Sequence, residues 1–409
     1  MNTTSSTIQP PPFADSSLPL AVVVASTAWS ETPRMRHQVA RQLMRWCNVL
    51  FVEFFPARRT TGEFQQRDGR LIVYAPKTQR LPPVRVYANV PMVHRRTNRS
   101  YVDSIERVVG QFPARKRLLV SFVYDFPEIM ESTVFDHKTY VCYDEFPRMW
   151  RREKQPNAVK FLYQSRLYQR YENEVARQAD RCVACHTPLV DKLRPVNAHS
   201  ALFMHGHEFK GTPVQPANSG PKPIRVGFMG YITYNLLQSW LYAVLDETDM
   251  ELNLIGPIDK FDPTPFEQYG NFTHISPVTG ESLLKALASM DVLVMPYNPE
   301  IPEVHVQTAS NKFFQYVAAC RPVVISDMPH YVAMPEGVLY RARTADEFVE
   351  AIRRAYDEDC DAYRELRAQI AAANTWDKRG DQLRESIEQD LREKGKGLTL
   401  PTTKDAPDE

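Results

Sequence analysis

Leu20-Ala-Val-Val-Val-Ala25, a loop over residues 26–33, an amphipathic run over 34–46, and Asn48-Val-Leu-Phe-Val-Glu53 together decide the fold. Six apolar residues in a row, without alternation, mark a strand buried on both faces of a parallel sheet. Between the two runs Met35, Val39, Leu43 and Trp46 recur at helical spacing. Strand, loop, helix, strand is a βαβ unit, and its crossover implies a parallel sheet covered by helices.

The same alternation continues outward. Strands are expected over 118–124, 139–143 and 181–184, a long helix over 159–178, and the start of another over 187–193. Residues 211–223, Gly-Thr-Pro-Val-Gln-Pro-Ala-Asn-Ser-Gly-Pro-Lys-Pro, read as a linker. A second series follows, with strands over 224–229, 251–255, 272–275, 292–295 and 322–326. Its helices are expected over 237–246, 282–290, 311–319, 345–356 and 363–374. A chain of 409 residues is too long for one ordinary core. The expectation is an α/β protein of two Rossmann-like domains facing across a cleft, with ligands beyond the carboxyl ends of the strands. The boundaries expected are a disordered leader over 1–17, a first domain over 18–210, the linker, and a second domain over 224–375. A helix over 376–393 would cross back to the first domain, and 394–409 would form a disordered tail.

Composition narrows the class. Hydrophobic residues make up 43% and charged residues 24%, as in globular proteins. The net charge of +1 hides an asymmetry. Residues 1–200 hold 30 Lys and Arg against 18 Asp and Glu, and the remainder 20 against 31. A basic first half suits phosphates, anionic lipid or acidic sugars. No segment approaches the roughly 20 apolar residues of a membrane span. Residues 18–25 follow no Lys or Arg, so they make a poor signal peptide. Six scattered cysteines do not form a disulfide framework, which points to a cytoplasmic chain. Arg148-Met-Trp-Arg-Arg-Glu-Lys154, with Lys160, Phe161, Tyr163, Arg166, Tyr168 and Arg170, interleaves basic and aromatic residues. It suits peripheral contact with the inner membrane surface, or an exposed helix with aromatic packing; nucleic acid is not expected.

The strongest local signal is Met295-Pro-Tyr-Asn298 followed by Gln307-Thr-Ala-Ser-Asn-Lys-Phe-Phe-Gln-Tyr-Val-Ala-Ala-Cys-Arg-Pro-Val-Val324. A loop after a strand delivers Ser310, Asn311 and Lys312 to a helix start. Free N–H groups and the helix dipole favour phosphate there, and Lys312 adds a point charge. Gln315 lies one turn on, on the same face as Asn311. This run resembles the "PNKLFEYLAAGKPVV" segment of bacterial polysaccharide glycosyltransferases of the glycosyltransferase-B fold, above all the teichuronic-acid and xanthan-glucuronosyltransferase types. Four more places match in order over about residues 20–375. They are Val24-Ala-Ser-Thr-Ala-Trp-Ser30 with Arg34-Met-Arg-His-Gln38, Tyr140-Val-Cys-Tyr-Asp-Glu-Phe146, Glu174-Val-Ala-Arg-Gln-Ala-Asp180, and Arg225-Val-Gly-Phe-Met-Gly230.

The resemblance implies a transferase that moves a sugar from a nucleotide diphosphate, UDP above all, to a saccharide or lipid-linked acceptor in exopolysaccharide or capsule assembly. It makes Asp144 the general base, with Glu145 as rival or helper; a helix cap is the alternative use of Asp144. Strand alternation would point the two carboxylates in opposite directions. Gly230, Tyr231, Tyr297, Ser310, Asn311, Lys312 and Gln315 would bind the donor, although Tyr297 could equally be ordinary strand-end packing. Ser26, Trp29, Arg34 and Arg36 would lie on the acceptor side. Many retaining relatives carry two glutamates eight apart where this chain has Gln307 and Gln315, and their loss favours inversion. A nucleotide-sugar epimerase or a non-catalytic nucleotide-sugar-binding relative are the alternatives.

Two motifs are set aside. Cys182-Val-Ala-Cys-His186 fits covalent haem attachment, and Asp359-Cys-Asp361 mimics an acidic metal motif. The first falls in a strand and turn and lacks the second ligand pair of a structural zinc site. The second lies between two late helices. No metal and no cofactor beyond the donor are expected.

Overall fold

The computed structural model describes residues 9–56, 62–77, 83–149, 158–209 and 223–395. The expected linker and tail fall on residues outside these, apart from Pro223, Lys394 and Gly395. The chain divides into two compact units. The first comprises residues 1–185, 189–203 and 380–409; the second comprises 186–188 and 204–379.

In the first unit the strands are β1 (Leu20–Ala25), β2 (Asn48–Glu53), β3 (Phe64–Asp68), β4 (Leu71–Tyr74), β5 (Arg117–Ser121), β6 (His137–Cys142), β7 (Arg181–Ala184) and β8 (Ser200–Leu202). They form one sheet in the order β3-β4-β2-β1-β5-β6-β7-β8. Every pair is parallel except β3 with β4. The two unbroken apolar runs are β1 and β2, paired in register from Leu20 with Asn48 to Ala25 with Glu53. β1 is buried along its whole length. β1 lies between β2 and β5, so the chain reverses direction across the sheet there, and the carboxyl ends of such strands are where α/β folds bind ligands.

Residues 9–17, expected as part of a disordered leader, instead pack on this unit. Phe13 is buried with its ring centroid 4.9 Å from that of Phe112, Ala14 N–H donates to the Gly69 carbonyl at 2.9 Å, and Asn48 donates to the Asp15 carbonyl at 2.6 Å. Phe13 thus covers an apolar patch that sequence polarity hid. From Gly380 onward the helix Trp376–Glu393 belongs to the first unit. Its Asp390 is held by His137 at 2.8 Å and by Nε and Nη2 of Arg181, at 2.8 and 2.6 Å.

The second unit holds β9 (Ile224–Met229), β10 (Met250–Ile255), β11 (Phe272–Ile275), β12 (Val292–Met295), β13 (Val323–Ser326) and β14 (Leu339–Ala342). The order β11-β10-β9-β12-β13-β14 is wholly parallel, and the chain reverses direction across the sheet between β9 and β12. This is the Rossmann order of two βαβαβ halves. Its core runs from Val226 and Phe228 through Leu252 and Leu293 to Phe313, Val324 and Phe348.

Candidate functional site

Two groups of predicted residues gather at strand ends, one in each unit. In the first unit β6 ends at Cys142, and Tyr143, Asp144 and Glu145 follow it before the short helix Phe146–Met149. The alternation argument therefore reaches past the strand, and a different force separates the two carboxylates. Glu145 is buried and pairs with Lys192 at 3.1 Å. Lys192 also pairs with Glu172 at 2.8 Å, and Glu172 accepts from Tyr140 at 3.0 Å and from Cys142 Sγ at 3.4 Å. Burial opposes charge on Lys192, but the two carboxylates win and hold its ammonium well above the ordinary range. Glu145 is thus tied inward by an ion pair. Asp144 is half-buried; its Oδ1 accepts the Glu145 N–H at 2.8 Å, and its carbonyl accepts from Cys142 Sγ at 3.6 Å.

Arg34 and Arg36 come from the start of the helix Met35–Leu43. Arg36 is buried, its guanidinium 4.9 Å from the Tyr143 ring centroid, and its Nε has no hydrogen-bond partner among the described residues. Burial pushes the Tyr143 phenol up, and the charges of Arg36 and Arg34 hold it back. The two arginines therefore stand beside the residue that precedes Asp144. Ser26 is exposed just past β1. Trp29 is committed to packing: its backbone N–H donates to Glu53 at 2.8 Å and its ring lies 5.0 Å from Phe51 and 5.2 Å from His37.

In the second unit Gly230 ends β9 at φ 138°, a conformation that L side chains rarely adopt. A Cβ there would overlap Lys312 Cε and stand 2.9 Å from Lys312 Nζ. Gly256, just past β10, has φ 133°, and a Cβ on it would collide with the Gly230 carbonyl oxygen. Two glycine turns thus nest together under one lysine. Lys312 sits in the first turn of the helix Asn311–Ala318, which Ser310 caps by accepting from the Phe313 N–H at 3.3 Å. Its Nζ lies 5.5 Å from the Tyr297 ring centroid. Tyr297 is buried, edge-on to Phe228 with centroids 5.9 Å apart, so it packs at the strand end and faces the cation as well. Asn311 donates to Gln315 at 3.2 Å and Gln315 donates to Glu208 at 3.1 Å, while Asn311 Oδ1 has no partner among the described residues. Tyr231 is exposed beside Gly230.

Sequence reasoning passed over three members of this group. Gly256 follows a strand directly, but its place against Gly230 depends on which strands are neighbours. His274 donates to the Gly256 carbonyl at 2.8 Å and fixes that turn. His205 is pushed down to about 4 by burial and by the charges of Lys312 and Arg379.

The two set-aside motifs are built into the fold. Burial pushes the Cys182 thiol up to about 12, and it donates to the Ala176 carbonyl at 3.6 Å. Cys185 donates to the Tyr143 carbonyl at 3.2 Å, and burial raises its pKa too. Asp359 is bound by the buried Arg364 at 2.6 Å and by Arg367, and Asp361 by Arg364 at 3.2 Å, so both carboxylates serve arginines.

Residues 224–358 match the family described as Glycosyl transferases group 1. No curated protein matches the chain by sequence. Among solved structures it is similar to a sucrose-phosphate synthase from Thermosynechococcus elongatus, at TM-score 0.68 and 13% identity over 92% of this chain and 100% of that one. It is similar to the lipopolysaccharide outer core galactosyltransferase WaaB in its apo form, at TM-score 0.61 and 9% identity over 91% and 100%. It is also similar to a trehalose 6-phosphate synthase from Burkholderia multivorans, at TM-score 0.58 and 10% identity over 93% and 98%.

Proposed function

We propose that this chain, a glycosyltransferase of the glycosyltransferase-B fold, transfers a sugar from a UDP-sugar to a saccharide or lipid-linked acceptor in exopolysaccharide or capsule assembly, with inversion at the anomeric carbon. The observation that carries the reading is Lys312 lying on the glycine turn of Gly230 at a capped helix start. The glycine leaves room for the Lys312 side chain to cross the turn, the helix supplies N–H groups, and the ammonium neutralises charge that grows as the bond to the diphosphate breaks. Tyr297 packs beside Lys312 and bounds the donor pocket, with Ser310, Asn311 and Gln315 supplying polar contacts. Tyr231 offers an exposed ring beside the turn.

On the acceptor side Asp144 takes the proton of the attacking hydroxyl. Glu145 is paired with Lys192, and the motif resemblance gives the task to Asp144. The buried Arg36, with an unpartnered Nε, and Arg34 suit an anionic or hydroxyl-rich acceptor. Gln307 and Gln315 carry no charge, in keeping with a single displacement. The reaction uses no metal and no cofactor besides the donor, and the enzyme works in the cytoplasm beside the inner membrane surface, where lipid-linked acceptors reside.

The test is a hydrolysis and thermal-shift screen of the full chain over UDP-, GDP- and dTDP-sugars, followed by anomeric analysis of the product. Stabilisation by a UDP-sugar, at about 2.7 kcal/mol when the ligand is at about 100 times its dissociation constant, supports the donor reading. No stabilisation by any sugar nucleotide would overturn it. An altered sugar with donor alone would reveal an epimerase instead.

A further inference from the structure

Six of the nine large apolar side chains exposed among the described residues fall on two segments of the first unit. Val86, Val90 and Met92 lie where the helix Val84–Asn89 hands over to Pro91–Val109, and Val159, Leu162 and Tyr163 lie on the first turns of Ala158–Gln178. The segments are about seventy residues apart in sequence but adjacent in space. Tyr163 donates to the Asn89 carbonyl at 3.2 Å, and Gln164 donates to Asn89 Oδ1 at 3.0 Å. Residues 159, 162, 163 and 166 share one helical face. Met92 is 78% exposed and Val159 83%, far more than packing against their own unit would leave.

The charge carried by the two segments themselves has one sign. Residues 83–102 and 158–171 contain no Asp or Glu and seven Lys or Arg. Arg96, Lys160 and Arg166 are exposed and make no ion pair among the described residues, while Arg95 and Arg99 share Glu131 and Arg170 pairs with Glu174. Aliphatic tips ringed by unneutralised cations fit a surface that is oily beneath and anionic on top. They do not fit a nucleic acid, whose bases stack on aromatic faces and gain little from Val, Met and Leu.

We propose that this composite patch is the face by which the chain docks on an anionic lipid bilayer, with Val86, Val90, Met92, Val159 and Leu162 entering the interface and Arg96, Lys160 and Arg166 meeting the headgroups. The proposal extends the reading above by naming the membrane-facing residues, and its readout needs no sugar transfer, so the two fail separately.

The experiment is co-sedimentation of the full chain with vesicles of phosphatidylcholine alone and of phosphatidylcholine with about a third phosphatidylglycerol, at low and high salt. Binding to the anionic vesicles, weakened by salt, is expected. The Met92→Ser/Val159→Ser/Leu162→Ser variant should bind at least about tenfold more weakly, since each buried methylene adds a factor of about four. All three side chains are exposed, so circular dichroism should match the parent. The proposal is overturned by failure of the parent to bind anionic vesicles, or by equal binding of the variant. It is equally overturned if single-stranded polyuridylate is preferred to vesicles, or if the variant's change is instead the loss of a dimer in sedimentation.

Discussion

Lys312 lies across Gly230, so close that a methyl group on the glycine would occupy the place of Lys312 Cε. Two different substitutions should therefore damage one site in different ways. Lys312→Met removes the charge but keeps the shape. It should lower kcat on the order of 10²-fold through lost stabilisation of the leaving diphosphate, and weaken UDP binding, in steady-state kinetics and calorimetry. Gly230→Ala places a side chain at φ 138° and pushes the lysine aside. It should lose donor binding as well as about 1–2 kcal/mol of stability, by thermal unfolding. Normal UDP binding in both variants would remove the donor site from this turn.

Asp144 and Glu145 are neighbours in sequence with separate fates, because Lys192 captures one of them. Asp144→Asn should lower kcat by about 10²- to 10⁴-fold, leave the affinity for UDP within a factor of about two, and abolish the acidic limb of the pH–rate profile. Glu145→Gln should retain that limb and lose stability instead, because it leaves Lys192 with Glu172 alone. If the two variants exchange these behaviours, Glu145 is the base.

How far these features were legible in the sequence depended on how local their causes are. β1 and β2 read directly, since a strand covered on both faces needs an unbroken apolar run. β3 did not, since Phe64-Gln-Gln-Arg-Asp68 is an exposed edge held by backbone pairing with β4. β8 and β14, short edge strands, gave too few residues for a pattern. The helix start at Lys312 was legible because capping is local chemistry. The nesting of Gly256 on Gly230, and the charge of Lys312 acting on His205 over a hundred residues away, were not. Those depend on which strands become neighbours, and periodicity does not encode that. The capture of Glu145 by Lys192 was hidden for the same reason.

His205 offers a pH readout of the donor site. Its folded pKa lies near 4, below the ordinary histidine value, because burial and the charges of Lys312 and Arg379 oppose the imidazolium. A histidine depressed on folding leaves stability untouched above pH about 6.5. It lowers stability progressively as the pH falls from 6.5 toward 4, because the unfolded chain takes up the proton first. Proton NMR of the ring should therefore show a titration near 4 in the free chain. Lys312→Met should move it upward, and an occupied diphosphate site should do the same by neutralising the lysine. A titration near 6.5 in the parent chain would mean that His205 is solvated and remote from the cation.

Asp390 fastens the last helix to the first unit, and its energetics follow from what it leaves behind. Burial alone would raise its pKa, yet hydrogen bonds and charge from His137 and Arg181 bring it well below the usual carboxylate range. A carboxylate depressed on folding contributes its full stability above the unfolded value of about 3.9, and that contribution is lost as the pH falls through the folded value. The clasp should therefore be intact at neutral pH and weaken only in strong acid. Asp390→Ala removes the anion while His137 stays fully buried and Arg181 half-buried, which should cost about 3 kcal/mol, the lower end for a broken buried pair. Urea unfolding should report the loss, and hydrogen exchange should place it first in the helix Trp376–Glu393. Asp390→Asn fills the same space without the charge, so it should also lose the acid dependence below pH about 4. Unchanged exchange protection of that helix in both variants would show that apolar packing, through Leu383, Ile387 and Leu391, holds it without the clasp.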